Sequence, residues 1–122
     1  MRRILVVEDE PVLREVYELV LGSEPFIVNL AENGQVALEL CRQNTYDLIL
    51  LDLMMPVLDG VGFLRAYAHQ APPTTRIIVL SNLSSGQALE EAIKLGAHRT
   101  ELKANISPKQ LSALVRYELD AS

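Results

Sequence analysis

Short apolar runs alternate with amphipathic stretches along the whole chain. Ile4-Leu5-Val6-Val7 is the first run, continuous and rich in β-branched residues; it predicts a strand buried on both faces. Glu8-Asp9-Glu10-Pro11 then reads as a loop. Val12, Val16, Leu19 and Val20 recur at i, i+4, i+7 and i+8, which predicts an apolar helical face, with Gly22 as its stop. Phe26–Leu30 predicts a second, weaker strand, and Ala37, Leu40 and Cys41 predict a helical face after Asn33-Gly34. Leu48–Leu51 is the third and most apolar run, followed by Phe63, Leu64 and Tyr67 in a short helix that ends before Pro72-Pro73. Ile77-Ile78-Val79-Leu80 is the fourth strand. Ser84 or Ser85 is placed to cap a helix carrying Leu89, Ala92 and Ile93, closed by Gly96. A weak fifth strand is expected between Ala97 and Leu102. Ser107-Pro108-Lys109-Gln110 has the N-cap, the N1 proline and the N3 glutamine of a capped helix, with Leu111, Leu114 and Val115 on its apolar face.

Five strands therefore alternate with five helices. That alternation predicts an α/β fold, a doubly wound parallel sheet covered by helices on both faces. A single domain over residues 1–122 is expected, since there is no internal repeat, low-complexity tract or linker. Asp120-Ala121-Ser122 reads as a tail. With 49% hydrophobic residues the chain can build a core, and 22% charged residues do not fit a disordered segment. A net charge of −5 argues against nonspecific binding of nucleic acid. The single cysteine, Cys41, excludes a disulfide scaffold and points to a reducing compartment. Behind Met1-Arg2-Arg3, the run Ile4–Val7 is too short for a signal peptide or a membrane span. A cytoplasmic domain without membrane contact is the expectation.

In doubly wound sheets, ligands bind beyond the carboxyl ends of the strands. Glu8 and Asp9 follow the first strand, Asp52 the third, Ser81 and Asn82 the fourth, and Lys103 the fifth. The second strand ends in Leu30-Ala31 and offers no such group. In a 2-1-3-4-5 strand order, the first and third strands are neighbours at the topological switch point. Glu8, Asp9 and Asp52 then converge. Two carboxylates about 4 Å apart repel by about 4 kcal/mol at an effective dielectric of about 20, so a cluster of three calls for a cation. Hard oxygen donors in an open site suit Mg²⁺, with Mn²⁺ as the alternative. Lys103 and Ser81 would face the same spot from the other side. An aspartate between a metal and a lysine can attack phosphorus. The acyl phosphate formed would be held by Mg²⁺ and Lys103, with the Ser81 hydroxyl donating a hydrogen bond to it.

Glu8-Asp9, Asp52 with Met55-Pro56 and Asp59-Gly60, Ser81 and Lys103 together closely resemble the receiver domain of two-component response regulators. The resemblance extends roughly from Arg3 to Leu119. It implies a flavodoxin-like, CheY-like (βα)5 fold with the 2-1-3-4-5 order used above, so that order and the resemblance are not independent. It implies that Asp52 is the phosphoacceptor for a sensor histidine kinase or phosphotransfer protein. Asp9 and Asp52 would bind Mg²⁺ directly, the backbone carbonyl of Met54 would be a third protein ligand, and Glu8 would act through water. Lys103 would pair with the phosphoryl group. Ser81 would move toward it and reposition the loop between the fourth strand and fourth helix. No enzymatic activity is implied beyond the domain's own phosphorylation and dephosphorylation. The face formed by the fourth helix, fifth strand and fifth helix would carry the switch, including a phosphorylation-dependent homodimer.

Four positions depart from that pattern. Ala104 stands where a proline normally follows the lysine, so a cis bond there is disfavoured by about 3 kcal/mol. Thr100 stands where an aromatic switch residue is expected, Glu101 occupies a usually apolar place that predicts an irregular edge, and Asn82 replaces a very small residue. These departures motivate a second reading, a receiver-like protein-interaction module insensitive to phosphorylation. A Mg²⁺-dependent phosphatase is disfavoured, because the general acid it needs two residues after the aspartate is replaced by Met54. A flavin or nucleotide carrier is disfavoured because Glu8-Asp9-Glu10 replaces a glycine-rich phosphate loop. Pro56 and Asp59-Gly60 are expected to shape the loop after Asp52, with Gly60 allowing positive φ or close approach. His69 and His98 read as surface residues without a second ligand at metal spacing, and Cys41 as an apolar filler. Tyr67 and Tyr117 read as packing residues with wet hydroxyls.

Overall fold

Five strands and five α-helices alternate in the computed structural model, which describes residues 1–68 and 70–121. The order is β1 (Arg2–Val7), α1 (Pro11–Gly22), β2 (Phe26–Ala31), α2 (Gly34–Gln43), β3 (Leu48–Asp52) and α3 (Gly60–Tyr67). It continues with β4 (Arg76–Ser81), α4 (Gln87–Lys94), β5 (Arg99–Leu102), a short 3₁₀ turn (Lys103–Asn105) and α5 (Pro108–Ala121). The strands form one parallel sheet in the order β2-β1-β3-β4-β5. All peptide bonds of the described residues are trans, Lys103–Ala104 included.

Side chains alternate across each strand, so every apolar run splits between two cores. Leu5, Val7, Ile49, Leu51, Ile77 and Val79 pack with Ala37, Leu38, Phe63, Leu64, Leu89 and Ala92 of α2, α3 and α4. Ile4, Val6, Leu48, Leu50, Ile78 and Leu80 pack on the other face with Tyr17 and Leu21 of α1 and Leu111, Val115 and Leu119 of α5. All of β3 is buried, Asp52 included. Each fully buried Leu, Ile or Val contributes roughly 1.5–3 kcal/mol, so β3 is a rigid base for the residues at its end.

Several expectations change. The buried face of α1 is Leu13, Tyr17 and Leu21, whereas Val12 and Leu19 are 68% and 76% exposed. Apolar residues surround this helix, and the sheet takes the row carrying the largest side chains. On α4, Leu89 and Ala92 are buried but Ile93 is exposed. Its N-cap is Gly86, with φ 118° and no side-chain cap, so neither Ser84 nor Ser85 serves. Tyr67 is buried and stacked on Phe63, with its hydroxyl bonded to Thr75 and Cys41. Tyr117 is exposed, with the Arg99 guanidinium over its ring. Despite Glu101, β5 pairs with β4 without interruption from Arg99 to Leu102.

Other expectations hold. Ser107 and Gln110 cap α5 reciprocally: Gln110 N donates to Ser107 Oγ at 3.2 Å, and Ser107 N donates to Gln110 Oε1 at 2.8 Å. Cys41 is half-buried and packs against the core as filler, and burial pushes its thiol up to about 11. His98 is exposed, its Nδ1 accepting from Ile77 N. The expected tail is not one at Asp120 and Ala121, which continue α5 as its last residues; His69 and Ser122 lie outside the described residues.

Candidate functional site

The register of the sheet steps the strand ends into one cluster. Val7 lies opposite Leu51, Asp52 opposite Leu80, and Ser81 opposite Leu102. Glu8, Asp52, Ser81 and Lys103 therefore follow one another along the carboxyl edge of β1, β3, β4 and β5. One more hydrogen bond, from Glu8 N to Ala31 O at 3.0 Å, extends the β1–β2 ladder before the chain turns away.

Oxygen atoms of Glu8, Asp9 and Asp52 lie within 4.8 Å of one another. Glu8 and Asp52 are 2% and 5% exposed. Lys103 Nζ donates to Glu8 Oε1 at 2.6 Å and lies 3.4 Å from Asp52 Oδ2. Two of the three acids thus share one lysine. Burial pushes the Asp52 carboxyl up to about 6; Lys103 and the Met54 N–H oppose that rise, and the Glu8 charge adds to it. Burial acts to lower Lys103, but its contacts with Glu8 and Asp52 outweigh it and hold the ammonium above its ordinary range. Tyr17 is pushed up to about 12, first by burial and then by Glu8, Asp52 and Glu10, so its hydroxyl stays protonated.

The donor set fits a hard divalent cation, with unequal parts for the three acids. Both oxygens of Glu8 are engaged, Oε1 by Lys103 and Oε2 by Glu10 N at 3.2 Å. Asp52 Oδ1 accepts from Met54 N at 3.3 Å. The Asp9 carboxylate has no hydrogen-bond or ion-pair partner among the described residues. Asp52 Oδ2 also lies 3.4 Å from Lys103 Nζ, so Asp9 is the acid with an uncommitted carboxylate, and the contacts of Asp52 are longer than those of Glu8.

Ser81 is buried, and its Oγ accepts from Leu83 N at 2.9 Å, which leaves the hydroxyl proton available to a new acceptor. Asn82 to Gln87 are all exposed. Thr100 is half-buried opposite Val79.

The loop after Asp52 is held by close backbone contacts. Gly60 N donates to Leu53 O at 2.9 Å, and a Cβ on Gly60 would lie 2.6 Å from Asp52 O. Close approach, and not positive φ, is what requires this glycine. Asp59 Oδ1 caps α3 by accepting from Gly62 N at 2.7 Å. Val57 has φ 69°, the one non-glycine residue with positive φ among those described.

One residue at the site escaped the sequence reading. Arg14 Nη1 donates to the carbonyls of Glu8 at 2.8 Å and Asp9 at 3.3 Å. The available signal was indirect: Glu10-Pro11 gives α1 no side-chain cap, so the turn before it needs a donor from elsewhere.

A family profile described as the response regulator receiver domain matches residues 4–116. The probable transcriptional regulator ycf27 of Guillardia theta is 33% identical over 114 residues, 93% of this chain and 44% of that protein. The protein-glutamate methylesterase/protein-glutamine glutaminase 1 of Pseudomonas fluorescens is 37% identical over 97 residues, 78% of this chain and 29% of that protein. The chain spans less than half the length of these curated relatives. The receiver domain of the Francisella response regulator 1452 superposes with a TM-score of 0.86 at 28% identity, covering 99% of this chain and 98% of that one.

Proposed function

Because the chain belongs to the response regulator receiver domain family, we propose that it is a phosphorylation switch whose acceptor is Asp52. The observation that carries this reading is the placement of Asp52 between Lys103, 3.4 Å away, and the Glu8 and Asp9 oxygens within 4.8 Å. An ionised Asp52 oxygen attacks the phosphorus of a phosphohistidine on a sensor histidine kinase or phosphotransfer protein. The P–O bond forms as the P–N bond breaks, and the electron pair leaves with the imidazole nitrogen, which takes up a proton. Mg²⁺, or Mn²⁺ in its place, would neutralise the acids and the entering phosphoryl charge. Asp9, Asp52 and the Met54 backbone carbonyl would hold it, with Glu8 acting through water.

Lys103 pairs with the phosphoryl oxygens and relaxes its contact with Glu8. The acyl phosphate also presents new acceptor oxygens. Ser81 Oγ–H turns toward one of them and gives up Leu83 N, drawing the β4–α4 loop with it. That loop is exposed throughout, and α4 begins at Gly86 without a side-chain cap, so little opposes its movement. The shift reaches the α4-β5-α5 face, where a downstream partner, an output domain or a second copy of the chain would read it. The test is a small phosphodonor with Mg²⁺, followed by intact mass. An acid-labile phosphoryl adduct is expected, and it must vanish in Asp52→Asn; an adduct elsewhere, or none, sinks the reading.

Thr100 favours a second reading, a phosphorylation-insensitive interaction module, because the half-buried position in β5 lacks an aromatic ring to move. Amide spectra of the phosphorylated chain discriminate. Shifts in α4 and β5 support the switch, and an adduct that leaves them and self-association unchanged supports the module.

A further inference from the structure

Helix α1 begins without a side-chain cap: Glu10 makes no capping hydrogen bond, and Pro11 follows it. The turn before it, Glu8-Asp9-Glu10, must nevertheless hold two of the three acids in place. Its Glu8 and Asp9 carbonyls have left the sheet, and unpaired backbone carbonyls away from water are costly. Half-buried Arg14, in the first turn of α1, supplies their donor. One guanidinium nitrogen reaches both carbonyls, 2.8 and 3.3 Å away, and the group is in no ion pair among the described residues.

We infer that Arg14 is a positioning residue for the acidic cluster. By gathering both carbonyls to one point it sets the two peptide planes, and thereby turns the Glu8 and Asp9 carboxylates toward Asp52. This rests on the proposed reading that the cluster takes a divalent cation. The inference has a sign that a simple charge effect does not share. A guanidinium near a cation site repels the cation, so its loss through charge alone would tighten binding. Loss of the clamp would weaken binding, because the ligands would have to be ordered on binding. Arg14 is partly exposed, so solvent and salt screen its charge, and the clamp dominates.

The test is calorimetric titration of the full chain with Mg²⁺, together with amide hydrogen exchange in chelator. Arg14→Ala is expected to weaken Mg²⁺ binding about tenfold. It should also speed exchange at Glu10, whose N–H is bonded to Glu8 Oε2. Arg14→Lys, which keeps the charge and a donor, should recover part of both. Leu111→Ala, in the core under α5, controls for global destabilisation and should lower the melting temperature without changing the Kd. Unchanged or tighter Mg²⁺ binding in Arg14→Ala overturns the inference. If the parent chain binds no Mg²⁺, or binds it equally well as Asp9→Asn/Asp52→Asn, the cation reading fails instead. Glu10 exchange then decides for Arg14: faster exchange supports its positioning role, and unchanged exchange overturns it.

Discussion

The Leu58 carbonyl accepts a hydrogen bond from Gly34 N at 2.9 Å, and a Cβ on Gly34 would lie 2.6 Å from that same oxygen. The start of α2 thereby buttresses the loop that follows Asp52. Asn33 reinforces the contact by capping α2, its Oδ1 accepting from Val36 N at 2.9 Å. Gly34→Ala is expected to push the two segments apart, since backbone cannot yield as a flexible side chain does. The expected cost is about 1–3 kcal/mol in urea denaturation, typical of overpacking. Phosphorylation of Asp52 by a small donor should also slow. Full stability in this variant would show that the contact carries no strain.

Val57 presents a different economy of the same loop. It is β-branched, 81% exposed and held at φ 69°, a region that costs a non-glycine residue about 1–3 kcal/mol. Replacing it with glycine removes that strain but adds about 0.5–1 kcal/mol of unfolded-chain entropy. Strain is the larger effect, so Val57→Gly should stabilise the chain by about 1 kcal/mol. The urea midpoint should rise with an unchanged slope. A lower midpoint would mean that the positive φ is not strained here.

The buried carboxyl of Asp52 makes stability depend on pH. Its folded-state value, about 6, lies above the ordinary 3.8. The folded state therefore binds its proton more tightly than the unfolded state. The contribution is fully present below about 3.8 and is lost as pH rises through about 6. In chelator, the parent chain should lose on the order of 1–3 kcal/mol relative to Asp52→Asn between pH 4 and pH 7. Mg²⁺ at pH 7 should restore stability to the parent and not to the variant. Parallel pH profiles for the two proteins in chelator would show that Asp52 is not strained by burial.

Local chemistry made much of this fold legible. The apolar runs around Ile4–Val7, Leu48–Leu51 and Ile77–Leu80 are strands because continuous β-branched and aliphatic segments suit a sheet covered on both faces. The α5 cap is readable in Ser107 and Gln110 because both halves of the hydrogen-bonded box lie within four residues. Glu8, Asp9, Asp52 and Ser81 were legible as a group because they lie at or just after the ends of such runs, and Lys103 because it follows the weaker fifth strand; parallel strands bring those ends to one edge.

The remainder depended on contacts between segments distant in the chain. Periodicity marked α1 as a helix but could not choose Leu13, Tyr17 and Leu21 over Val12 and Leu19, because both rows are apolar and the sheet selects between them. The Tyr67 hydroxyl found Thr75 and Cys41 through packing of α3 against its neighbours. The Gly34–Leu58 contact joins residues 24 positions apart through backbone atoms, which every residue shares and no sequence pattern distinguishes. Arg14 reaches back only to Glu8 and Asp9, but its targets are carbonyls too. Residue types carry the chemistry of side chains, so the reactive groups could be read along the chain; the backbone contacts that aim them exist only once the strands and helices have packed.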